Sequence, residues 1–482
     1  MSLTSQVARN TILQVVGKAL TTLLGLVVVA LLQRYLGPSG FGQYWTIISY
    51  LGFFSVIADL GLYLIVVREI SKKEADPQKV VGNVFSIRTI FAILILGISV
   101  LVGFFLPYPH IVKIGILLGT LSFFFVAMTQ VLVGIFQKHL VMKKVVIGEI
   151  IGRIVLLILV SIFLKLKFSL LSIILAVVLG SFANFLIIFI FANQYVKIKF
   201  LFDFAYWRYI LSETWPLAIS VILNLIYFKI DTVFLSLMKS SEVVGLYGAA
   251  YKILEILVTL PNMFVGLVLP ILSYYAFLNR EKFIQVFKKA FDLLIMTGLP
   301  LVVGGLFLAK PLVILIGGKE FSAAAPIFQI LIFAIGALFL GSLSGHTIVA
   351  INKQRQMVFG YLTVAILGVI LYLVLIPPFS YYGAAIGTVI TECSIAVIGY
   401  VIILRFMKFK LPYKLFLKSL LAGLIMAGFL YFMKGTNVLI QIVVSGIIYL
   451  AVLYLLKGFT KELILEILSS KKEGTATEIY PE

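Results

Sequence analysis

Between residues 10 and 456 the chain is a succession of apolar runs, each about 20 residues long, split by short polar or glycine- and proline-bearing breaks. No other feature constrains the fold as much. A helix rises 1.5 Å per residue, so roughly 20 mostly apolar residues cross the bilayer core. Membrane β-strands would show about ten residues of alternating apolar and polar character, and these runs do not alternate. Hydrophobic residues make up 62% of the 482 and charged ones 12%. A soluble domain carries about a quarter charged residues, so the solvent for this surface is lipid. The first run, Thr11 to Leu32, exceeds a signal-peptide core and no small-residue cleavage site follows it, which predicts a retained first span.

The pattern predicts an all-α integral membrane protein with fourteen spans, at about 10–33, 41–67, 83–105, 111–136, 145–164, 169–193, 210–237, 243–276, 289–308, 322–348, 358–376, 381–404, 413–433 and 437–456. Proline marks breaks at 106–110 (LPYPH) and 376–379 (IPPF). The apolar part of 310–320 (KPLVILIGGKE) is too short to span and reads as an external interfacial turn. About two-thirds of the 39 lysines and arginines fall in alternate connecting segments, among them Arg68, Lys72, Lys79, Lys143, Lys144, Lys288, Lys410 and Lys418. By the positive-inside rule this predicts cytoplasmic N- and C-termini of a multi-pass protein. The net charge of +20 then faces anionic lipid headgroups, and nucleic acid is not needed as a partner.

Two short echoes suggest an internal repeat. LGPSGFGQY (Leu36–Tyr44) aligns with KSSEVVGLY (Lys239–Tyr247), matching Gly42 to Gly245 and Tyr44 to Tyr247. QKHLVM (Gln137–Met142) aligns with NKQRQM (Asn352–Met357). Repeats six spans apart keep the same membrane sense, so their axis would lie along the membrane normal. The expected organisation is an N-terminal lobe over 1–200, a C-terminal lobe over 201–410, two further helices over 411–457 and a polar cytoplasmic tail over 458–482. Gly37, Gly40, Gly42 and Gly245 are candidate hinge-turn residues, because glycine turns tightly without a side chain in the way.

Ionisable residues inside spans are costly and mark interior sites. They are Lys18, Asp59, Arg88, Glu149, Arg153, Lys229, Asp231, Lys252, Glu255 and Glu392. Glu149 with Arg153, and Lys252 with Glu255, have the spacing to meet on one helix face. Lys18, Asp59, Arg88 and Arg153 fall in the inner half of the first lobe, and this group is the more basic. Lys229, Asp231, Lys252 and Glu255 are candidates for ion coupling or inter-helix pairing. One cysteine, Cys393, excludes a disulfide framework and a thiolate metal cluster; the three histidines are scattered, so no metal site is expected. No phosphate-binding GxxxxGK[ST] loop is present, so the chain is not an ATPase and no cofactor is implied.

The LGPxxFGxY turn, Asp59-Leu60-Gly61, Ile230-Asp231, Val244-Gly245-Leu246-Tyr247 and Tyr382-Gly383-Ala384-Ala385-Ile386-Gly387 together resemble the polysaccharide-transporter family. These are the O-antigen type flippases of the multidrug/oligosaccharidyl-lipid/polysaccharide exporter superfamily. The resemblance implies two pseudo-symmetric six-helix lobes around a central cavity, plus two C-terminal helices. It implies a membrane transporter in the plasma (inner) membrane rather than an enzyme, moving polyprenyl-diphosphate-linked oligosaccharide from the cytoplasmic to the outer leaflet by alternating access. Its partners would be that lipid-linked substrate, membrane lipids, and the polymerase and glycosyltransferases of cell-surface polysaccharide biosynthesis. On this reading Lys18 and Arg88 bind the diphosphate, with Arg153 third and Asp59 holding Arg88 when no substrate is bound. The alternatives are a multidrug cation antiporter or lipid II flippase of the same superfamily. Less favoured is an integral membrane glycosyltransferase or ligase, for which no large extramembrane loop exists.

Overall fold

The computed structural model describes residues 3–59, 61–72 and 75–458; the expected polar tail lies outside the described residues apart from its first position. Among the described residues there are fourteen α-helices, one short 3-10 turn and no strand. The apolar runs form helices as expected, but several boundaries differ. The first and second spans belong to α1 (Leu3–Asp59), which is interrupted at Gly37 by non-helical backbone (φ 64°, ψ −179°). Its neighbours reverse there. Gly17 faces Val146 and the Tyr35 hydroxyl donates to the Phe168 carbonyl, whereas beyond the turn Gly115 and then Gly119 receive Ile47 and Leu51. The second span ends in a separate short helix, α2 (Leu62–Ile70).

Helices α3 (Pro77–Phe105), α4 (His110–Lys138), α5 (Lys143–Lys165), α6 (Leu170–Asn193) and α7 (Phe204–Met238) take the third to seventh spans. The eighth is divided at Val258 into α8 (Ser241–Leu257) and α9 (Thr259–Leu278). Then come α10 (Arg280–Gly317), α11 (Ala324–Ala350), α12 (Gln354–Met407), α13 (Lys414–Phe432) and α14 (Val438–Leu455). Eleven segments are long and apolar enough to cross a membrane. Two of them, Leu13–Asp59 and Gln354–Met407, contain an interior break and supply two spans each, and α7 completes the fourteen.

Two expectations need correction. Residues 310–317 are not an interfacial turn but the last turns of α10, which runs through Pro311. Buried Leu308, Ala309 and Val313 hold that helix together past the proline. Nor do Pro377 and Pro378 stop the eleventh span: helical backbone continues through both, and the break falls at Ser380 (φ 54°, ψ −132°). Proline removes one donor, yet interior proline is tolerated in membrane helices where packing resatisfies the backbone.

The chain divides into two compact units, Met1–Gly248 with Val369–Ala384, and Ala249–Gly368 with Ala385–Glu482. The first unit has one core centred on Val66, Val84, Leu132 and Phe136 and another around Ile47, Tyr50, Ile116 and Ile174. In the second unit α10 packs on α13 and α14 through Leu308, Ala422, Met426 and Tyr449. The second echo is three residues out of register in space. The left-handed residues ending the two helices are Leu140 and Asn352, each followed by a bond spanning five residues, Val141 N–H to Phe136 and Lys353 N–H to Ile348. The same helix ending recurs at Lys167 and Lys457, so it is a common stop signal rather than evidence for the repeat.

Candidate functional site

The second span breaks directly after Asp59, and the break recruits Arg88. A helix end leaves carbonyl oxygens without partners, and in lipid each such group costs several kcal/mol. Arg88 Nη1 donates to the Ala58 carbonyl at 2.6 Å, and Nη2 donates to Gln130 Oε1 on α4 at 2.9 Å. Nη1 also lies 2.7 Å from Asp59 Oδ1. Asp59 Oδ1 there gains charge proximity without an aligned hydrogen bond, and Arg88 Nε has no aligned partner either. A cation at a helix C-terminus also complements the helix dipole. Arg88 is 1% exposed, so its guanidinium presents no face to a headgroup. The structure therefore places Arg88, expected in the substrate site, in a buried bridge joining α1, α3 and α4.

Lys18 and Arg153 stand apart from that bridge. Both are exposed, on α1 and α5. A Cβ added at Gly25 would sit 4.0 Å from Arg153 Nη1. Gly25 is seven residues after Lys18, two helical turns or about 10 Å of rise, on nearly the same side of α1. The Arg153 guanidinium thus lies about two turns of α1 beyond Lys18, on nearly the same side of that helix. Glu149 is partly buried, and the expected Glu149–Arg153 pair is not among the ion pairs of the described residues.

The remaining candidates separate in the same way. Asp231 is fully buried on α7, where it accepts from the Tyr247 hydroxyl of α8 at 2.5 Å and from the Thr232 N–H at 2.6 Å. It pairs helices through a neutral hydroxyl. Lys229 is partly exposed. Lys252 and Glu255 meet at 2.8 Å, the i,i+3 pair expected from their spacing. Gln130 escaped the sequence reading because that search followed charge, and Tyr247 entered it only as a repeat and motif position, not as the partner of Asp231; the usable signal is any polar side chain within an apolar run.

The two glycine-bearing turns meet each other. A Cβ on Gly42 would collide with the Ser241 carbonyl oxygen, and one on Gly245 with the Pro38 carbonyl oxygen. Each added Cβ would also lie 2.9 Å from the other glycine's backbone nitrogen. Pro38 to Ser241 and Gly42 to Gly245 share one sequence offset, 203 residues, so the contact is reciprocal. Reciprocal contact between equivalent positions is the property of a two-fold interface. Trp45 then covers Gly248, again 203 residues on. Gly37 makes the turn itself, in backbone open essentially to glycine alone. A Cβ added at Gly40 would lie 3.0 Å from the Leu36 Cβ of its own helix.

At the lysine-rich end of the first unit a cleft of about 490 Å³ is lined by Glu69, Lys72, Asp76, Lys79 and Tyr206. Its cations are already matched. Lys72 lies 2.6 Å from Glu69 and Lys79 lies 2.9 Å from Asp203. The hydrogen bond to Glu69 and then that to Tyr209 push the Lys72 amine above its ordinary value. The Tyr206 N–H, followed by Lys79, holds the Asp203 carboxyl below the usual range.

A solved structure described as the lipid II flippase MurJ in an inward closed conformation matches with a TM-score of 0.76 at 18% identity, over 95% of this chain and 99% of that one. An inward-facing multidrug resistance MATE family transporter of the MOP superfamily matches at 0.66 and 16% identity, over 80% and 94%. A MOP superfamily transporter from Pyrococcus furiosus matches at 0.57 and 16% identity, over 84% and 97%. At these identities the likeness is one of fold. No curated protein sequence matches significantly. The family described as "Polysaccharide biosynthesis protein" matches residues 7–276, which include the glycine turns, the Asp59 break and the Asp231–Tyr247 pair. More than half of the chain lies within that match, and the protein is therefore a member of the polysaccharide biosynthesis protein family.

Proposed function

We propose that this protein is a flippase carrying polyprenyl-diphosphate-linked oligosaccharide from the cytoplasmic to the outer leaflet by alternating access of lobes formed by residues 1–200 and 201–410. What supports this reading is that two cations inside the span regions, Lys18 on α1 and Arg153 on α5, are both exposed. A diphosphate cannot cross hydrocarbon unaided, because desolvating isolated charge costs tens of kcal/mol in the Born limit. Exposed cations at span depth face water rather than lipid tails, and they supply the opposite charge that the headgroup needs. Arg88 and Asp59 hold the broken second span and act as positioning residues. The protein then sits in the plasma membrane with both termini cytoplasmic, and glycosyltransferases and a polymerase supply and consume its substrate.

A lipid II flippase is supported by the likeness to MurJ in fold. A cation antiporter is disfavoured by the basic character of the exposed pair. Purified protein in nanodiscs, titrated with a short polyprenyl diphosphate and separately with a lipophilic cation, tests the assignment. The diphosphate should bind, and Lys18→Gln with Arg153→Gln should weaken it tenfold or more. Tighter binding of the cation than of the diphosphate would sink the reading.

A further inference from the structure

A second cleft, of about 460 Å³, lies in the other compact unit, where α10 begins, α13 begins and α14 ends. Lys288, Lys410, Lys414 and Lys418 line it, and Asp292 is its one lining carboxylate. This differs in kind from the cleft beside Glu69, where each lysine has its own carboxylate. Nor are these four lysines simply a solvated run. Lys288 is half-buried, with its amine 5.9 Å from the Phe409 ring centre. Lys418 is half-buried and donates to the Lys457 carbonyl at 2.8 Å, which fixes the amine without neutralising it. Lys410 and Lys414 are exposed at the rim. Four lysines against one carboxylate leave the cleft with a net positive charge. From its rim, α13 continues with exposed Phe416, Leu417, Leu421 and Leu424, an apolar face suited to acyl chains.

We propose that this cleft is a binding site for the phosphate headgroup of an anionic phospholipid, with the acyl chains lying along the exposed face of α13. The ligand chemistry is a phosphate ester anion held by ammonium groups at a membrane surface, where basic clefts between helices recruit acidic lipids. Lys288 and Lys418 are the fixed inner contacts, and Lys410 and Lys414 close over the headgroup from the rim. The site belongs to the membrane environment of the protein, and it is separate from the Lys18–Arg153 pair.

The test uses the full-length protein in phosphatidylcholine nanodiscs containing a minor fraction of spin-labelled phosphatidylglycerol, reading the immobilised fraction against spin-labelled phosphatidylcholine. Wild type should prefer phosphatidylglycerol. Lys410→Gln/Lys414→Gln, confined to exposed positions, should reduce that preference about fivefold for each lysine removed. Lys197→Gln/Lys199→Gln removes equal charge from the connection between α6 and α7, in the first compact unit, and should leave it unchanged. Asp292→Asn should strengthen it. Inorganic phosphate at matched ionic strength should not displace the lipid. Equal loss in the two double variants would reduce the effect to general surface charge and overturn the proposal, as would an unchanged preference in Lys410→Gln/Lys414→Gln. Displacement by inorganic phosphate, or weakening by Asp292→Asn, would overturn the lipid assignment as well.

Discussion

Arg88 shows how one residue can satisfy a backbone and a charge together. Its guanidinium serves the Ala58 carbonyl, Gln130 and Asp59 at once, because the fork offers several donors in fixed directions. Arg88→Ala should destabilise the protein by about 3–5 kcal/mol, since it leaves a carboxylate in low dielectric without its partner. Asp59→Asn combined with Arg88→Ala should recover much of that loss, and Arg88→Lys should fall between, keeping charge but not the fork. Thermal unfolding of the purified variants measures this; a single Arg88→Ala variant melting with wild type would contradict the bridge. Ser380 offers a test of opposite sign. Its backbone (φ 54°, ψ −132°) suits glycine, so Ser380→Gly should raise stability by up to about 1 kcal/mol. A lowered melting temperature would show that the Ser380 side chain contributes more than its backbone costs.

Among the elements, the reciprocal turns at Gly42 and Gly245 are the most demanding contact. Gly42→Ala and Gly245→Ala should each cost about 1–3 kcal/mol, because the added methyl meets rigid backbone rather than a side chain that can move. They share one contact, so the double variant should cost clearly less than the two losses added. Additive losses in thermal unfolding would mean that the turns are strained independently. The aligned pair Gly42 and Gly245 was legible in the sequence because both glycines answer one steric demand. The fourteen spans were legible for a similar reason: apolar length is a property of each segment alone. What sequence could not give was where a helix breaks without losing its apolar run. The division at Val258 is marked only by Pro261 in the first turn of α9, inside a continuous apolar run, and the prolines at 311, 377 and 378 point to stops that packing overrides. Partners across helices were hidden too. Arg88 reaches α1 and α4, and Asp231 reaches Tyr247, through contacts that only the packed bundle brings about.

At the scale of the whole molecule, the proposed function leaves a membrane potential to set the direction of transport. A diphosphate leaving a negative interior moves down the electrical gradient, at about 2.3 kcal/mol per charge per 100 mV, or roughly 5 kcal/mol for two charges. Net outward movement then needs no nucleotide hydrolysis, in keeping with a sequence that lacks a phosphate-binding loop. On the proposed function, Lys18 and Arg153 supply the charge that meets the diphosphate. The most direct measurement is leaflet exchange in proteoliposomes loaded with a fluorescent polyprenyl-diphosphate oligosaccharide, with quencher added outside and an inside-negative potential imposed. Wild-type protein should bring the label to the outer leaflet, more slowly when the potential is collapsed at matched pH. Lys18→Gln/Arg153→Gln should bring outward movement close to the protein-free rate while the protein melts like wild type. Outward movement at the wild-type rate in that double variant, or none with wild-type protein, would contradict the account.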